Sequence, residues 1–446
     1  MERSEYRQKS FWMATTEYRE NPPLEGTAKV DVAIIGGGFS GMSSAYHIKQ
    51  ADPGAEVAVL EAQVTGYGAS GRSGGFSMTL FGLSLDTTYM LYGEVRTREA
   101  FQYMVEAVEY VDELIRKHNL QCDYQRSGFL RVATNRAQVK RIHRELELAA
   151  KIGLSGVMWW ERDQVQEAVH SERLLGGWWE PRCALLHPAK FVRELKRIAE
   201  EAGAVIYERS PVLEIRRTTQ GFLLKTPTGE VHADKVVFAT NAWSHLFPWL
   251  RRKQVPVWTY QVATEPLSPE MWRTVGWEQR MGIEDARNLI HYFRPSPDGR
   301  ILMGGGRVIL SYGRNMEKDL DEPTFQHLEG FLKTLFPPLK GVRIAYRWGG
   351  PVSVTLDMAP AVGTAHDREV VYNLGCIGHG VSLMPSNGRI IADLVLERKT
   401  SLTDLWFVNR RVLPVPGEPL RSLLTHAIRG FFILEDWWHE CRRGAS

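Results

Sequence analysis

The segment "VDVAIIGGGFSGMSSAYHIKQ", residues 30–50, constrains the fold more than any other stretch of the chain: an apolar run breaks into four glycines within six residues, then resumes without a helix breaker. Val30–Ile35 has the continuous apolar character of a buried parallel strand, and Met42–Gln50 reads as a helix. Gly36, Gly38 and Gly41, with Phe39 and Ser40 between the last two, match GxGxxG. The first glycine allows the turn, the second lets backbone approach a pyrophosphate, and the third lets helix and strand pack closely. The helix start presents N–H groups and positive potential to the phosphates. A second strand, "EVAVLEA", ends in Glu61 and Ala62. Glu61 stands twenty residues past Gly41, where a carboxylate accepts hydrogen bonds from a ribose. These features together specify a dinucleotide site, for NAD or FAD.

Composition narrows the partners. The chain has 446 residues, enough for two or three folding units at roughly 100 to 200 residues each. It is 43% hydrophobic and 24% charged, as in an ordinary soluble globular protein. Its formal net charge is only +3, with basic and acidic residues interleaved, so nucleic acid is not an expected partner. Cys122, Cys183, Cys376 and Cys441 are scattered without a CxxC pair or ligand-like spacing to histidine, so no metal site is expected and the thiols read as reduced. The first 26 residues lack the apolar core of a signal peptide, and no stretch reaches about 18 consecutive apolar residues. A cytoplasmic, soluble protein is expected, membrane-peripheral at most.

A second glycine loop follows at once. "GYGASGRSGG", residues 66–75, has backbone to line an extended ligand beyond the pyrophosphate. Further on, "EVHADKVVFATNAWS" ends a strand at Ala239, Thr240 and Asn241, near the expected ligand. "VVYNLGCIGHGVSLMPSNGRIIADLVLE", residues 370–397, repeats strand, glycine loop and helix, with Pro385 suited to that helix's first turn.

Through "GASGRSGG", "RIAYRWGG" and "GHGV", over roughly residues 10–400, the chain resembles the glycine and D-amino-acid oxidase superfamily of FAD-dependent oxidoreductases. The resemblance implies an α/β fold: a Rossmann-like FAD-binding domain of the glutathione-reductase type, with an inserted α+β substrate domain built on antiparallel sheet. The FAD-binding domain would comprise 1–89, 151–254 and 346–417, and the substrate domain 90–150 and 255–345. A C-terminal amphipathic helical tail would occupy 418–446. By the same resemblance Glu61 holds the adenosine ribose and Val212 pairs with adenine. Gly68, Ala69, Ser70, Gly71, Arg72, Ser73, Gly74 and Gly75 run beside pyrophosphate and isoalloxazine. Gly378, His379, Gly380 and Val381 lie at the flavin ring. A helix start there would stabilise negative charge arriving with hydride at the flavin, and the backbone N–H of His379 is a better candidate for this than its imidazole.

Departures from the superfamily narrow the chemistry. Relatives that oxidise α-amino acids hold the carboxylate with cations, whereas "WGGPVSVTLDMAP" and "GHGVSLMP" carry none. The expected substrate is therefore a primary or secondary amine, with a gamma-glutamylated diamine among the candidates. Hydride passes to flavin N5, and the resulting imine hydrolyses to aldehyde plus amine. Arg294 and Arg347 are the cations that would contradict this by pointing inward. Trp348, Tyr260 and Tyr292 are the substrate-side candidates beside His379, although alternating aromatics also suit a buried strand. The lysine that promotes oxygen reaction in sarcosine oxidases falls near Leu302, and the cysteine that binds flavin covalently falls near Val352–Thr355, so non-covalent FAD is expected and the acceptor is oxygen, a quinone or a protein. Other readings stay open: an amino-acid or hydroxy-acid dehydrogenase, and a flavin-binding scaffold. His187, at a helix start, reads as a cap or packing residue. In the tail, Leu424, Ile428 and Phe431 share a helical face near Leu434 and Trp438, suited to a membrane surface or to docking on the body or a second subunit, with Glu435 and Asp436 interrupting it.

Overall fold

Two sheets organise the protein, whose structure, a computed structural model, describes residues 5–365 and 368–441. In the first, Gly26–Ile35 lies between Val57–Leu60 and Gly229–Phe238, all parallel. Val205–Tyr207 extends one edge in parallel; Val370–Leu374, then antiparallel Ala361–Ala365, extend the other. The half of Gly26–Ile35 nearest the glycine loop, Val32–Ile35, is buried, which explains its unbroken apolar sequence. Gly229–Phe238 serves two neighbours on its outer edge. Its early residues pair with the hairpin strand Gly221–Lys225, and its last three with Val370–Leu374.

Helices Phe39–Ala51, Pro188–Glu201 and Gly380–Val395 share one core through Met42, Ile48, Val192, Leu195, Ile390 and Ile391. Two of them nearly touch: a Cβ on Gly388 would lie 2.3 Å from Ser43 Oγ, which donates to the Pro385 carbonyl at 2.6 Å. Pro385 is thus not in the first turn as expected, because the helix already begins at Gly380. His187 caps Pro188–Glu201, its Nδ1 accepting from Lys190 N at 3.2 Å. Burial pushes its pKa down to about 3, so the ring stays neutral as that role requires.

The second sheet has nine strands. Val255–Thr264 pairs along one edge with Ile344–Val354, and along the other with Ile301–Gly305 and Ile309–Leu310. The sheet continues through His291–Pro295, Gly282–Asp285, Phe129–Val132, Gly176–Glu180 and Met158–Glu161. Pairing is antiparallel except between Gly282–Asp285 and Phe129–Val132. Helix Glu322–Leu335 covers one face, packing Phe325, Leu328 and Leu332 into a core with Trp258, Tyr260 and Val262. The expected domain limits at 151 and 346 differ from this arrangement. Met158–Glu161, Gly176–Glu180 and almost all of Ile344–Val354 lie in stretches assigned to the FAD-binding domain, yet they pair in the second sheet. Local sequence defines a strand, whereas the sheet it joins depends on distant partners.

The tail forms helix Leu420–Cys441, anchored on its own body. Asp436 accepts from the backbone N–H of Asn288 and Leu289, at 3.0 and 3.1 Å, and Glu435 accepts from Asn288 Nδ2 at 2.9 Å. The acids expected to interrupt an apolar surface therefore fasten the helix. Ile428 turns away from the expected stripe, while Leu424, Phe431, Leu434 and Trp438 are exposed. Among the described residues, no helix is long and apolar enough to cross a membrane. Cys122, Cys183 and Cys376 are buried free thiols; the Cys441 side chain lies outside the described residues.

Candidate functional site

A cavity of about 1270 Å³ runs between the two sheets, walled by all three glycine loops, by strand Val255–Thr264 and by the tail helix. At the first loop, backbone occupies the space side chains would take. A Cβ on Gly36 would sit 2.7 Å from the Ala239 carbonyl oxygen, and one on Gly41 would sit 1.9 Å from that of Gly36. Gly41 does not line the cavity; its role is helix packing, as the motif requires. Glu61 receives Gly37 N on one carboxylate oxygen at 2.7 Å and Gln63 N on the other at 2.9 Å. Burial nevertheless dominates and raises its pKa to about 7. Ala62, Val212, Thr240 and Asn241 continue this wall, beside Phe39 and Ser40.

The second loop is held from behind. Ser10 Oγ donates to the Gly71 carbonyl at 2.6 Å and Trp12 Nε1 to that of Ser73 at 2.8 Å, bringing the short helix Phe11–Ala14 against the loop. Gly71 is turned toward this helix and away from the cavity: a Cβ there would be 2.5 Å from Met13 Cε. Ser70 Oγ accepts from Phe39 N at 2.9 Å, joining the first two loops. The buried Arg294 donates through one nitrogen to the carbonyls of Gly74, Gly75 and Leu186, at 3.0, 3.3 and 2.8 Å. Burial lowers its pKa to about 9, with the Arg280 charge acting in the same direction. It is a tether for the loop, not a substrate clamp. Arg72, buried in the same loop, pairs with Asp319 at 2.7 Å.

The third loop brings Gly378, His379, Gly380 and Val381 to the cavity wall. His379 caps the helix Gly380–Val395, but its backbone N–H closes a turn on the Cys376 carbonyl at 2.9 Å. That N–H, preferred from sequence as the charge-stabilising group, is therefore engaged, leaving the following helix N–H groups for the role. Burial pushes the imidazole pKa down to about 4, so it is neutral at pH 7.

The aromatic candidates separate by strand register. Tyr292 lines the cavity, whereas Tyr260 and Trp348 do not. Val255, Val257, Thr259 and Gln261 face the cavity, which turns Tyr260 to the opposite side, against Phe325. Its hydroxyl donates to the Lys318 carbonyl at 2.8 Å. Trp348 points toward the site but is covered by the second loop, donating from Nε1 to the Arg72 carbonyl at 2.9 Å. Trp258, two residues from Tyr260 and so on the same strand face, is fully buried in the core beneath helix Glu322–Leu335; it also borders the cavity, and its indole N–H has no partner. Arg347 pairs with Glu322 and Glu329, at 3.2 and 3.3 Å, on the outer side.

The residues fit a dinucleotide cofactor. Ser73 Oγ, Asn241 Oδ1 and His379 Nδ1 are buried polar atoms without a protein partner, and all three residues line the cavity beside the glycine loops. Among the described residues, no group of acids, histidines and cysteines could hold a metal ion.

Residues 31–394 match the family model described as "FAD dependent oxidoreductase". The chain is 33% identical to gamma-glutamylputrescine oxidoreductase of Escherichia coli over 96% of this chain and 98% of that one. It is 31% identical to the probable oxidoreductase OrdL of Haemophilus influenzae over 84% and 85% of the two chains. Among solved structures, glycine oxidase from Geobacillus kaustophilus superposes with a TM-score of 0.72 at 22% identity, covering 86% of this chain and 100% of that one, a likeness of fold.

Proposed function

Because this chain belongs to the FAD dependent oxidoreductase family, we propose that it oxidises an amine whose reacting carbon bears no carboxylate, giving an imine that water hydrolyses to an aldehyde and either ammonia, from a primary amine, or a smaller amine, from a secondary one. The observation that carries this reading is the use of Arg294: this buried cation beside the second glycine loop donates to three backbone carbonyls. Arg72 pairs with Asp319 and Arg347 lies on the outer side, so neither is placed to bind an α-carboxylate. The similarity to the Escherichia coli enzyme, whose name specifies a gamma-glutamylated diamine, supports the same class.

Bound FAD supplies the hydride acceptor. Glu61 would hold the ribose hydroxyls, Val212 would pair with adenine, and the glycine loops would offer backbone N–H groups to the pyrophosphate. Ser73, Asn241 and His379 supply the unpaired polar atoms along the wall. The first N–H groups of helix Gly380–Val395 favour the negative charge that accompanies reduction. Tyr292, Trp258 and Val257 exclude water, and a desolvated wall lowers the pKa of an arriving ammonium so that it reacts as the neutral amine. His379, neutral at pH 7, donates or accepts a hydrogen bond without adding a positive charge that would repel the amine. Non-covalent FAD is part of this reading: Val352, Val354 and Thr355 line the cavity where some relatives use a cysteine, and Cys376, the cysteine that does line it, is buried in the third loop. Leu302, buried between strands, offers no cation to assist oxygen, so reoxidation by a quinone or partner is as compatible as reoxidation by oxygen.

Trapping the aldehyde from a panel of diamines, gamma-glutamyl-diamines and α-amino acids, with oxygen uptake followed in parallel, tests this reading. Aldehyde from the amines alone supports it. Keto acid from α-amino acids alone overturns it.

A further inference from the structure

One end of the cavity, where the tail helix lies, carries charge that the oxidation step does not use. Helix Leu420–Cys441 presents Thr425, Ile428, Arg429 and Phe432 to the cavity, positions three and four apart on one face. Arg307, two residues beyond strand Ile301–Gly305, lines the same end. Other cavity arginines have acid partners. Arg131 meets Glu145 and lies 3.6 Å from Glu284; Arg141 lies 3.4 Å from Glu145; Arg287 meets Asp285. Arg307 and Arg429 have no ion-pair partner among the described residues. Arg429 Nε is buried without a hydrogen-bond partner. Burial lowers the Arg429 pKa, and the neighbouring Arg307 charge lowers it further; Asp321 acts the other way. Asp321 is already engaged, capping helix Glu322–Leu335 through Thr324 N at 3.1 Å.

Two guanidiniums that repel each other in a partly desolvated wall favour a bound anion, and their planar N–H edges suit a carboxylate. They belong to the tail helix and to the segment joining strands Ile301–Gly305 and Ile309–Leu310, not to the three glycine loops. We propose that Arg307 and Arg429 form a carboxylate-binding subsite, and that the amine substrate carries a carboxylate several carbons from the carbon that is oxidised. This rests on the amine reading above and adds to it the substrate's second recognition element. The tail helix thereby completes the substrate site.

The test uses the full-length, FAD-loaded protein and two kinds of ligand. Gamma-glutamylbutylamide keeps the carboxylate-bearing head and lacks the terminal amine; its one remaining amine sits beside the α-carboxylate and is not oxidised on the amine reading, so its binding, followed by calorimetry with no keto acid formed, reports the subsite. Binding by the unsubstituted protein, weakened tenfold or more in Arg307→Gln and Arg429→Gln and less in Arg429→Lys, is the expected result. No binding, or equal binding by all four proteins, overturns the subsite. With gamma-glutamylputrescine and N-acetylputrescine as substrates, the glutamine variants should raise KM for the first and leave kcat/KM for the second unchanged; equal losses on both would also overturn it. If gamma-glutamylbutylamide binds as expected but no amine is oxidised, the amine reading fails and the anion subsite stands. Arg429→Lys guards against a folding defect, because it keeps the charge while losing the planar edge.

Discussion

Trp348 and Arg72, 276 positions apart in the chain, meet at a hydrogen bond of 2.9 Å from the indole N–H to the backbone carbonyl. Gln261 Nε2 donates to that same oxygen at 2.6 Å, and Gln261 stands directly opposite Trp348 in the antiparallel ladder. Two neighbouring strands of the second sheet thereby fix the loop that follows the first. The prediction is that Trp348→Phe, which keeps the bulk and removes the donor, costs about 1 kcal/mol of stability and weakens FAD retention. It should leave KM for the amine unchanged. The double variant with Gln261→Leu leaves the carbonyl with neither donor and should cost more than the sum of the single variants, measured by chemical unfolding.

Arg294 holds three carbonyls of two segments, so its removal acts on the loop and not on substrate charge. Arg294→Met should destabilise the protein by about 3 kcal/mol, through buried acceptors left unpaired, and release FAD. A melting curve with and without added FAD checks this. A change confined to KM, with FAD retained, would return Arg294 to the substrate.

Glu61 sets a pH dependence. Its folded-state pKa, about 7, lies above the ordinary 4.5. Between those values the folded FAD-free protein holds a proton that the unfolded chain has lost, so its stability falls as pH rises from about 4.5 to 7. Ribose hydroxyls donate to the ionised carboxylate, so FAD affinity should move oppositely, rising as pH climbs through about 7. Glu61→Gln should flatten both curves, read by melting of the FAD-free protein and by FAD titration from pH 5 to 9.

Two glycines separate packing from backbone conformation. Gly41→Ala drives a methyl to 1.9 Å from the Gly36 carbonyl oxygen and should abolish FAD binding. Gly378 has φ +89°, but a Cβ there meets nothing within 4 Å. Gly378→Ala should therefore cost only about 1 to 2 kcal/mol of backbone strain and keep FAD. Expression of both variants with a flavin absorbance spectrum distinguishes them.

The nucleotide half of the site was legible because its determinants are local: a strand, three spaced glycines and an acid at the end of the next strand constrain one another within about 30 residues. The substrate half depends on register and long-range pairing. Alternation in "VPVWTYQVA" marks a two-faced strand, but which face meets the ligand follows from the position of helix Glu322–Leu335, so pattern alone could not tell the Trp258 and Tyr260 face from that of Val257, Thr259 and Gln261. The first helix, Phe11–Ala14, is a four-residue apolar island in a charged segment, and its place behind the second loop became visible only through Ser10 and Trp12. In the tail, helical spacing identified an amphipathic segment but placed Ile428 on the outward stripe. Residues 425, 428, 429 and 432 form the inward face, where a polar arginine serves the cavity.

The central claim, that this flavoprotein accepts amines without an α-carboxylate, is tested most directly by anaerobic mixing of the FAD-loaded protein with gamma-glutamylputrescine, and separately with gamma-glutamylbutylamide, glycine and D-alanine, while following the flavin band at ~450 nm. Bleaching by gamma-glutamylputrescine, and not by gamma-glutamylbutylamide, glycine or D-alanine, is the predicted result. Bleaching by glycine or D-alanine, with the diamine derivative inert, would contradict the account.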